Sequence, residues 1–255
     1  MNIKEMTPLA VDISEDRERK SGSIAMLPAE KTASPASDLA YRICKGCFDF
    51  IASFFFSLIL VVPMLIIALI ITLKDPGNPF FLQKRVGKDG KEIRMLKFRS
   101  MRIGAENLEK MLNDEQLEEY RKEFKIKDDP RLIGYRKAGD GKRCFGAILR
   151  RTSLDELPQI LYNILIKRDM SIVGPRPVLH DELVRYYTPE EQILLTSVKP
   201  GLTGYWQAFA RNNASYESGQ RQQMELYYIR NRSIRLDIKI MLRTVISVLS
   251  RAGSE

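Results

Sequence analysis

The sequence predicts an α+β protein: a mainly helical soluble domain with one small β-hairpin, anchored by a re-entrant membrane helix broken at Pro63. Three observations lead there. Residues 50–73 run about 24 positions without a charge, which at roughly 1.5 Å per helical residue reaches across a hydrocarbon core. Two short strand-like runs flank the turn sequence Gly87-Lys88-Asp89-Gly90. Past them, apolar residues recur at helical spacing through most of the chain.

Residues 1–38 mix charges with Ser, Pro and Ala and show no sustained apolar period, as expected of a mobile tail. The apolar run starts too late and is too long for the core of a cleaved signal. Residues 39–74 form the membrane element, with Tyr41, Arg42 and Lys45 as interfacial anchors. Pro63 sits in its middle, where a proline removes one backbone bond and crowds the preceding turn, so a bend is expected there. Two topologies follow. A straight crossing carries Lys74 to the side opposite Arg42, whereas a hairpin returns both flanks to the cytosol. Basic residues at both ends, with Lys74, Lys84, Arg85 and Lys88 on the far side, favour the hairpin.

The soluble domain, residues 75–255, opens after the turn cluster Asp75-Pro76-Gly77-Asn78-Pro79. Residues 80–86 and 93–98 read as the two strands of the hairpin. Residues 105–125 place Leu108, Met111, Leu112, Tyr120 and Phe124 on one amphipathic helix that ends before Asp129-Pro130. A Gly- and Lys-rich loop surrounds residues 138–142. Residues 234–249 gather Ile238, Leu242, Val245 and Leu249 on one face, which is expected to pack in the core, with contact with a membrane surface as the second reading.

Composition narrows the chemistry. Lys and Arg number 41 against 32 Asp and Glu, a net charge of +9 over 255 residues, so an anionic partner is expected. No aromatic-rich RNA motif or zinc-finger spacing is present, which ranks membrane surface and nucleotide above nucleic acid. His180 is the single histidine, which argues against a histidine triad or a multi-histidine metal site. Three cysteines provide no disulfide framework, and Cys44 with Cys47 make a lone CxxC without the second pair or histidines of a metal site.

The acids Asp155 and Glu156 lie in Leu154-Asp155-Glu156-Leu157-Pro158. Proline is tolerated only in the first turn of a helix, so the helix through Ile160 and Leu161 begins near Leu154. Both carboxylates then sit at a helix start, where free N–H groups favour the ionised form and also favour a bound phosphate. An ionised carboxylate is able to attack phosphorus. The pattern Ser153-x-x-Glu156 also suits an ordinary capping box, and the sequence leaves that reading open. Cations surround the pair in sequence: Arg150 and Arg151 upstream, Arg176 held between Pro175 and Pro177, and Lys97 and Arg99 alternating on a strand. Two acids among fixed cations suit phosphoryl transfer with a divalent ion shared between carboxylates and substrate phosphates.

These segments, in order, resemble a known family. Lys97-Phe98-Arg99-Ser100-Met101, Asp129-Pro130-Arg131, residues 149–159, residues 169–177 and Lys199-Pro200-Gly201-Leu202-Thr203-Gly204 are similar to the bacterial sugar transferases, the monotopic polyprenyl-phosphate phosphoglycosyl transferases. The resemblance extends over residues 40–249 and leaves out the tail. It implies an enzyme on the cytosolic face of the bacterial inner membrane, held by a helix re-entering at Pro63. Asp155 would attack the sugar-linked phosphate of a UDP-sugar, release UMP and pass the phospho-sugar to polyprenyl phosphate. Mg²⁺ would be required, held by Asp155 and Glu156, with Glu156 also able to handle a proton. Lys97, Arg150 and Arg176 match cationic positions of the motifs, and Arg211 and Asn212 fall in a further one. Two departures stand out: residues 135–143 lengthen the connection to the dyad, and Ala210 replaces a frequent glycine. A non-catalytic membrane-tethered scaffold or anion-binding module, whose dyad merely caps a helix, is the alternative.

Overall fold

The computed structural model describes residues 35–123, 126–210 and 219–252. The chain folds as α1 (Pro35–Lys74), β1 (Phe80–Val86), β2 (Glu92–Phe98), α2 (Leu108–Met111), α3 (Asp114–Glu123) and α4 (Phe145–Arg151). A 3₁₀ turn (Leu154–Glu156) and a π-helix (Ile160–Ile166) follow, then β3 (Ser171–Val173), α5 (His180–Tyr186) and α6 (Pro189–Thr196). The chain continues through β4 (Gly201–Thr203), α7 (Tyr205–Phe209), α8 (Gln220–Asn231) and α9 (Ile234–Ala252). Mainly helical with a small hairpin, the soluble domain matches the expected class.

α1 starts at Pro35, earlier than the expected boundary at 39, and its helical assignment passes through Pro63 uninterrupted. The expected break is therefore not an interruption of the helix. A mid-helix proline forfeits a single backbone bond, and flanking turns keep the pattern. Side-chain burial divides α1 lengthwise. Asp49, Ser53, Ser57, Met64 and Ile71 are buried, at three- and four-residue steps completed by Leu60 and Ile67. The rest of the circumference exposes Phe54, Phe55, Leu58, Ile59, Leu65 and Leu69. Among the described residues α1 is the one helix long and apolar enough to cross a membrane.

Both ends of α1 are fastened to the same domain. At its N-terminal end Asp38 accepts from Arg232 at 2.6 Å, and Tyr41 and Lys45 both donate to Asp237 at 2.9 Å. Asp49 accepts from the Ser171 hydroxyl at 2.6 Å and the Ile172 N–H at 3.1 Å, so a buried carboxylate joins the helix to β3. At the other end Met64 and Ile71 pack with Phe98, Ile133 and Leu149, and Arg99 holds the carboxylate of Asp75.

The hairpin pairs Phe80 with Phe98 through Val86 with Glu92, as its alternating pattern and Gly-containing turn predict. Asp89 and Gly90 adopt φ of 56° and 72°, the left-handed conformations that close the turn. A second, parallel pair, β3 with β4, aligns Ser171 with Gly201 and Val173 with Thr203. Gly174 and Gly201 meet there so closely that a Cβ on Gly201 would lie 2.1 Å from the Gly174 nitrogen. Two motifs distant in sequence thus become neighbouring strands.

Two helical expectations are corrected. The single helix over residues 105–125 is two, because Asn113 starts a new one: its side chain accepts from the Gln116 N–H at 2.8 Å, and the Gln116 side chain accepts from the Asn113 N–H at 3.2 Å. Phe124 lies outside the described residues. On α9 the face bearing Ile238, Leu242 and Val245 is exposed, while Ile240 is fully buried and Asp237 nearly so. That apolar face does not serve the core; Leu249's side chain lies outside the described residues.

Asp49→Ala removes the acceptor shared by Ser171 and Ile172, leaving the buried Ser171 hydroxyl and the partly buried Ile172 N–H without it. The expected loss is roughly 1–3 kcal/mol of stability, read as a lowered unfolding midpoint of the full chain in detergent. An unchanged midpoint would show that this bond does not hold α1 to β3.

Candidate active site

α4 ends at Arg151, and Ser153 takes a left-handed φ of 58° that redirects the chain into the 3₁₀ turn carrying Asp155 and Glu156. Leu154, Leu157 and Leu161 pack into the cluster formed with Met64 and Ile71 of α1. The dyad's turn is therefore mounted on the C-terminal half of the apolar helix. Successive residues of a 3₁₀ turn point about 120° apart, so the two carboxylates face different surroundings. The Ser153 side chain makes no capping bond; the Glu156 N–H instead donates to the Ser153 carbonyl at 3.1 Å. The carboxylate of Glu156 accepts from Lys97 Nζ at 2.8 Å. The capping-box alternative is thus not realised.

Lys97 is presented by β2, and β2 is locked to the π-helix by one residue. Asn163, fully buried, accepts from the Leu96 N–H at 3.0 Å and donates to the Arg94 carbonyl at 2.9 Å, acting as a surrogate strand neighbour. Its amide also donates to Asp169 at 3.1 Å. A side chain in the element that follows the dyad therefore sets the register of the strand that carries the lysine. Sequence reasoning missed Asn163, because an asparagine between Tyr162 and Ile164 carries no motif signal.

Asp155 is 9 % exposed, and its carboxyl is pushed up to about 6, chiefly by burial. Lys97 pulls it down, Glu156 raises it further, and Arg150 pulls it down. At neutral pH the group is ionised yet poorly hydrated, with two cations close enough to act on it. A carboxylate stripped of water beside positive charge is disposed to attack an electrophilic phosphorus whose oxygens the cations neutralise. Among the described residues no third His, Cys, Asp or Glu joins the pair in a metal cluster. One or two carboxylates with substrate phosphates suffice for Mg²⁺, so the donor set fits that ion.

The remaining expected residues divide. Arg150 Nε donates to Ser100 Oγ at 2.8 Å. Ser100 is held in turn by its carbonyl, which accepts from the Ile133 N–H at 3.0 Å next to the Asp129-Pro130-Arg131 motif. Inside that motif Arg131 binds Asp129 in a fork, at 2.8 and 2.7 Å, with both side chains buried. Ser100 is a second residue that sequence reasoning left without a role. Arg151 is exposed at the end of α4. Arg99 is reassigned: it lies past the end of β2, and its guanidinium is engaged by the Asp75 carboxylate and by the carbonyls of Asp75 and Asn78. It fastens the exit of α1. Arg176 lies beside Glu182, at 3.8 Å, and donates its backbone N–H to Glu225 at 3.1 Å. Arg211 and Asn212 lie outside the described residues. Ala210 has φ of −143°, so no glycine is needed there. The added segment at 135–143 folds over Asp128, whose carboxylate accepts from the Tyr135 hydroxyl at 2.9 Å and from the Gly139 and Gly141 N–H groups at 2.7 Å.

An apolar helix fastened along one face of an α+β domain, with a buried aspartate, a partly exposed glutamate and cations mounted on it, defines a class of helix-fastened proteins with a charged site beside the helix. Comparison with known proteins makes this specific. The family described as Bacterial sugar transferase matches residues 40–251, and the chain belongs to that family. It is 38 % identical over 217 residues to a UDP-galactose-lipid carrier transferase of Erwinia amylovora, covering 84 % of this chain and 42 % of that protein. It is 37 % identical over 216 residues to an undecaprenyl-phosphate galactose phosphotransferase of Salmonella typhimurium, covering 84 % and 42 %. The chain thus spans about two fifths of the length of these relatives. With the exopolysaccharide production protein ExoY of Rhizobium meliloti it shares 35 % identity over 240 residues, 92 % of this chain and 97 % of that one.

The raised pKa of Asp155 carries a stability consequence with a definite sign. The fold disfavours the ionised form, so this group's contribution falls as pH rises from the ordinary carboxylate range through about 6. Asp155→Asn should stabilise the protein by roughly 1–3 kcal/mol at pH 8 and by much less at pH 4. Equal urea midpoints for the two proteins at both pH values would contradict a buried, ionised Asp155.

Proposed function

We propose that this protein transfers a sugar-1-phosphate from a UDP-sugar to polyprenyl phosphate, giving a polyprenyl-diphosphate sugar and UMP, the first membrane step of a bacterial polysaccharide or glycoconjugate. The observation that carries the reading is Asp155: buried, ionised at neutral pH, electrostatically coupled to Lys97 and Arg150, and mounted on an apolar helix. A carboxylate oxygen of Asp155 bonds to the sugar-linked phosphorus as the bond from that phosphorus to the bridging oxygen breaks, and UMP departs with the electron pair. An oxygen of polyprenyl phosphate then bonds to the same phosphorus, and the Asp155 carboxylate is released. Lys97 and Arg150 offset phosphate charge, and Lys97 also orients Glu156. Mg²⁺ held by Asp155 and Glu156 would supply charge neutralisation of the diphosphate when bound. Arg176 matches a cationic position of the family motifs and is proposed on that ground as a further phosphate contact, although the structure places it beside Glu182 and Glu225. The absence of a Ser153 side-chain cap speaks against the non-catalytic alternative, whose dyad would only cap a helix.

We also propose that α1 re-enters the inner membrane from its cytosolic face; the geometry bears on the re-entry. A straight helix from Asp38 to Asp75 would be about 55 Å long and would deliver its ends to opposite sides of a bilayer. Both ends are instead bound to one polar domain, through Arg232 and Asp237 at the start and Arg99 at the finish. Attachment of both flanks to one domain is the observation that supports re-entry over a crossing.

Asp155→Asn should abolish UMP release from a UDP-sugar supplied with polyprenyl phosphate, a fall of about 10³-fold or more for a lost nucleophile, with the fold retained. Wild-type protein given UDP-sugar alone should trap a labelled phospho-sugar, and its turnover should fall about tenfold per pH unit below about 6. Near-normal turnover by the variant, or no trapped label, would replace the covalent route by direct displacement. For topology, a membrane-impermeant thiol reagent should reach the exposed Cys44 and a cysteine introduced by Lys91→Cys from the same side of a sealed vesicle. Labelling from opposite sides would replace re-entry by a crossing.

A further inference from the structure

A cavity of about 400 Å³ opens where the first turns of α1 meet the β1–β2 turn, the segment before β4 and the end of α8. None of Lys97, Asp155 and Glu156 lines it, so it is separate from the acidic pair. Five cations do: Arg42, Lys45, Lys88, Lys199 and Arg232. Two are matched by carboxylates, Lys45 by Asp237 at 2.9 Å and Arg232 by Asp38 at 2.6 Å. Among the described residues Arg42, Lys88 and Lys199 make no ion pair, and the acid of the lining, Asp49, is near enough for its charge to act on Lys199, more strongly than the opposing charge of Lys88. The Asp49 carboxylate is engaged by Ser171 and Ile172, so three cations beside one engaged acid leave the cavity net positive, which favours a bound anion.

The remaining lining tells which anion. Leu39, Ile43 and Val198 give the cavity an apolar wall next to the cations. It adjoins the point at which α1 begins to expose Phe48, Phe50 and Ile51. The volume lies in the range of small-molecule sites and exceeds what a bare phosphate needs. Apolar wall, unpaired cations and a lipid-facing helix together match an amphiphile: an acidic head with hydrocarbon attached. We propose that this cavity binds the phosphate headgroup of an anionic membrane phospholipid, at a site distinct from the dyad. The bound lipid would pin the N-terminal end of α1 at the membrane surface, where Asp49 and Asp237 already tie that end to the domain. This inference rests on the reading that α1 is seated in a membrane.

The test uses the full chain released from detergent in native mass spectrometry, with phosphatidylglycerol as the probe. Wild-type protein should retain one phosphatidylglycerol in preference to phosphatidylcholine. Lys88→Gln/Lys199→Gln should weaken that retention about 30-fold, two interfacial lysines each contributing roughly a five- to sixfold factor. Lys91→Gln/Lys110→Gln, which removes the same charge from exposed positions, should leave it unchanged. Millimolar inorganic phosphate should not displace the lipid. Equal loss in both double variants would mean that net charge alone attracts the lipid, and displacement by free phosphate would make the site one for a soluble anion; either overturns the proposal. Preferential capture of polyprenyl phosphate over phosphatidylglycerol would reassign the cavity to the acceptor and overturn it as well. Flotation with neutral phosphatidylcholine vesicles separates the two readings: no flotation removes the membrane seating itself, whereas flotation without lysine-dependent retention removes only the headgroup site.

Discussion

One buried stripe, from Asp49 to Ile71, holds α1 to the folded domain, and the rest of the molecule is arranged around that contact. The helix is apolar on nearly all sides, so the hydrophobic effect alone gives it no preferred face. The face is chosen by polar groups at its start and by shape further on. Asp49, Ser53 and Ser57 are buried against the domain, and beyond them the stripe becomes Met64 and Ile71. Asp49 is satisfied by Ser171 and Ile172, bonds that no lipid tail offers. The short parallel pair β3–β4 acquires its place through the same carboxylate.

The dyad inherits its position from this packing. Leu154, Leu157 and Leu161 reach into the cluster around Met64, so the carboxylates between and beside them lie next to the apolar helix. Burial there raises the pKa of Asp155, while Lys97 and Arg150 keep it from rising further. The result is an acid that stays ionised at neutral pH with little water around it. Neither property belongs to an aspartate in a helix cap, and together they are what the proposed chemistry on phosphate rests on.

Asn163 shows why such a site needs more than its charged residues. A lysine at the end of a two-stranded hairpin has only one neighbouring strand to hold its register. The Asn163 amide supplies the missing bonds on the other edge of β2. Ser100 does comparable work for Arg150, and the Arg131–Asp129 fork steadies the adjoining backbone. These residues position the charges without carrying the chemistry themselves.

The hairpin, the apolar helix, the start of a helical segment near Leu154 and the candidacy of Asp155, Glu156 and Lys97 were all legible in the sequence. Each depends on local spacing: alternation, an uncharged run, a proline that restricts where a helix begins. The split at Asn113, the exposed face of α9 and the role of Arg99 were not legible. A capping asparagine competes with a helix that could also have continued, an apolar stripe does not say what covers it, and a guanidinium binds whichever acid the fold brings near. Arg99 meets Asp75 only because α1 ends beside β2. The sequence by itself determined which elements form and which residues are chemically capable. Tertiary structure alone decided which capable residues meet, because burial, charge coupling and the pairing of Lys97 with Glu156 depend on distances between segments far apart in the chain.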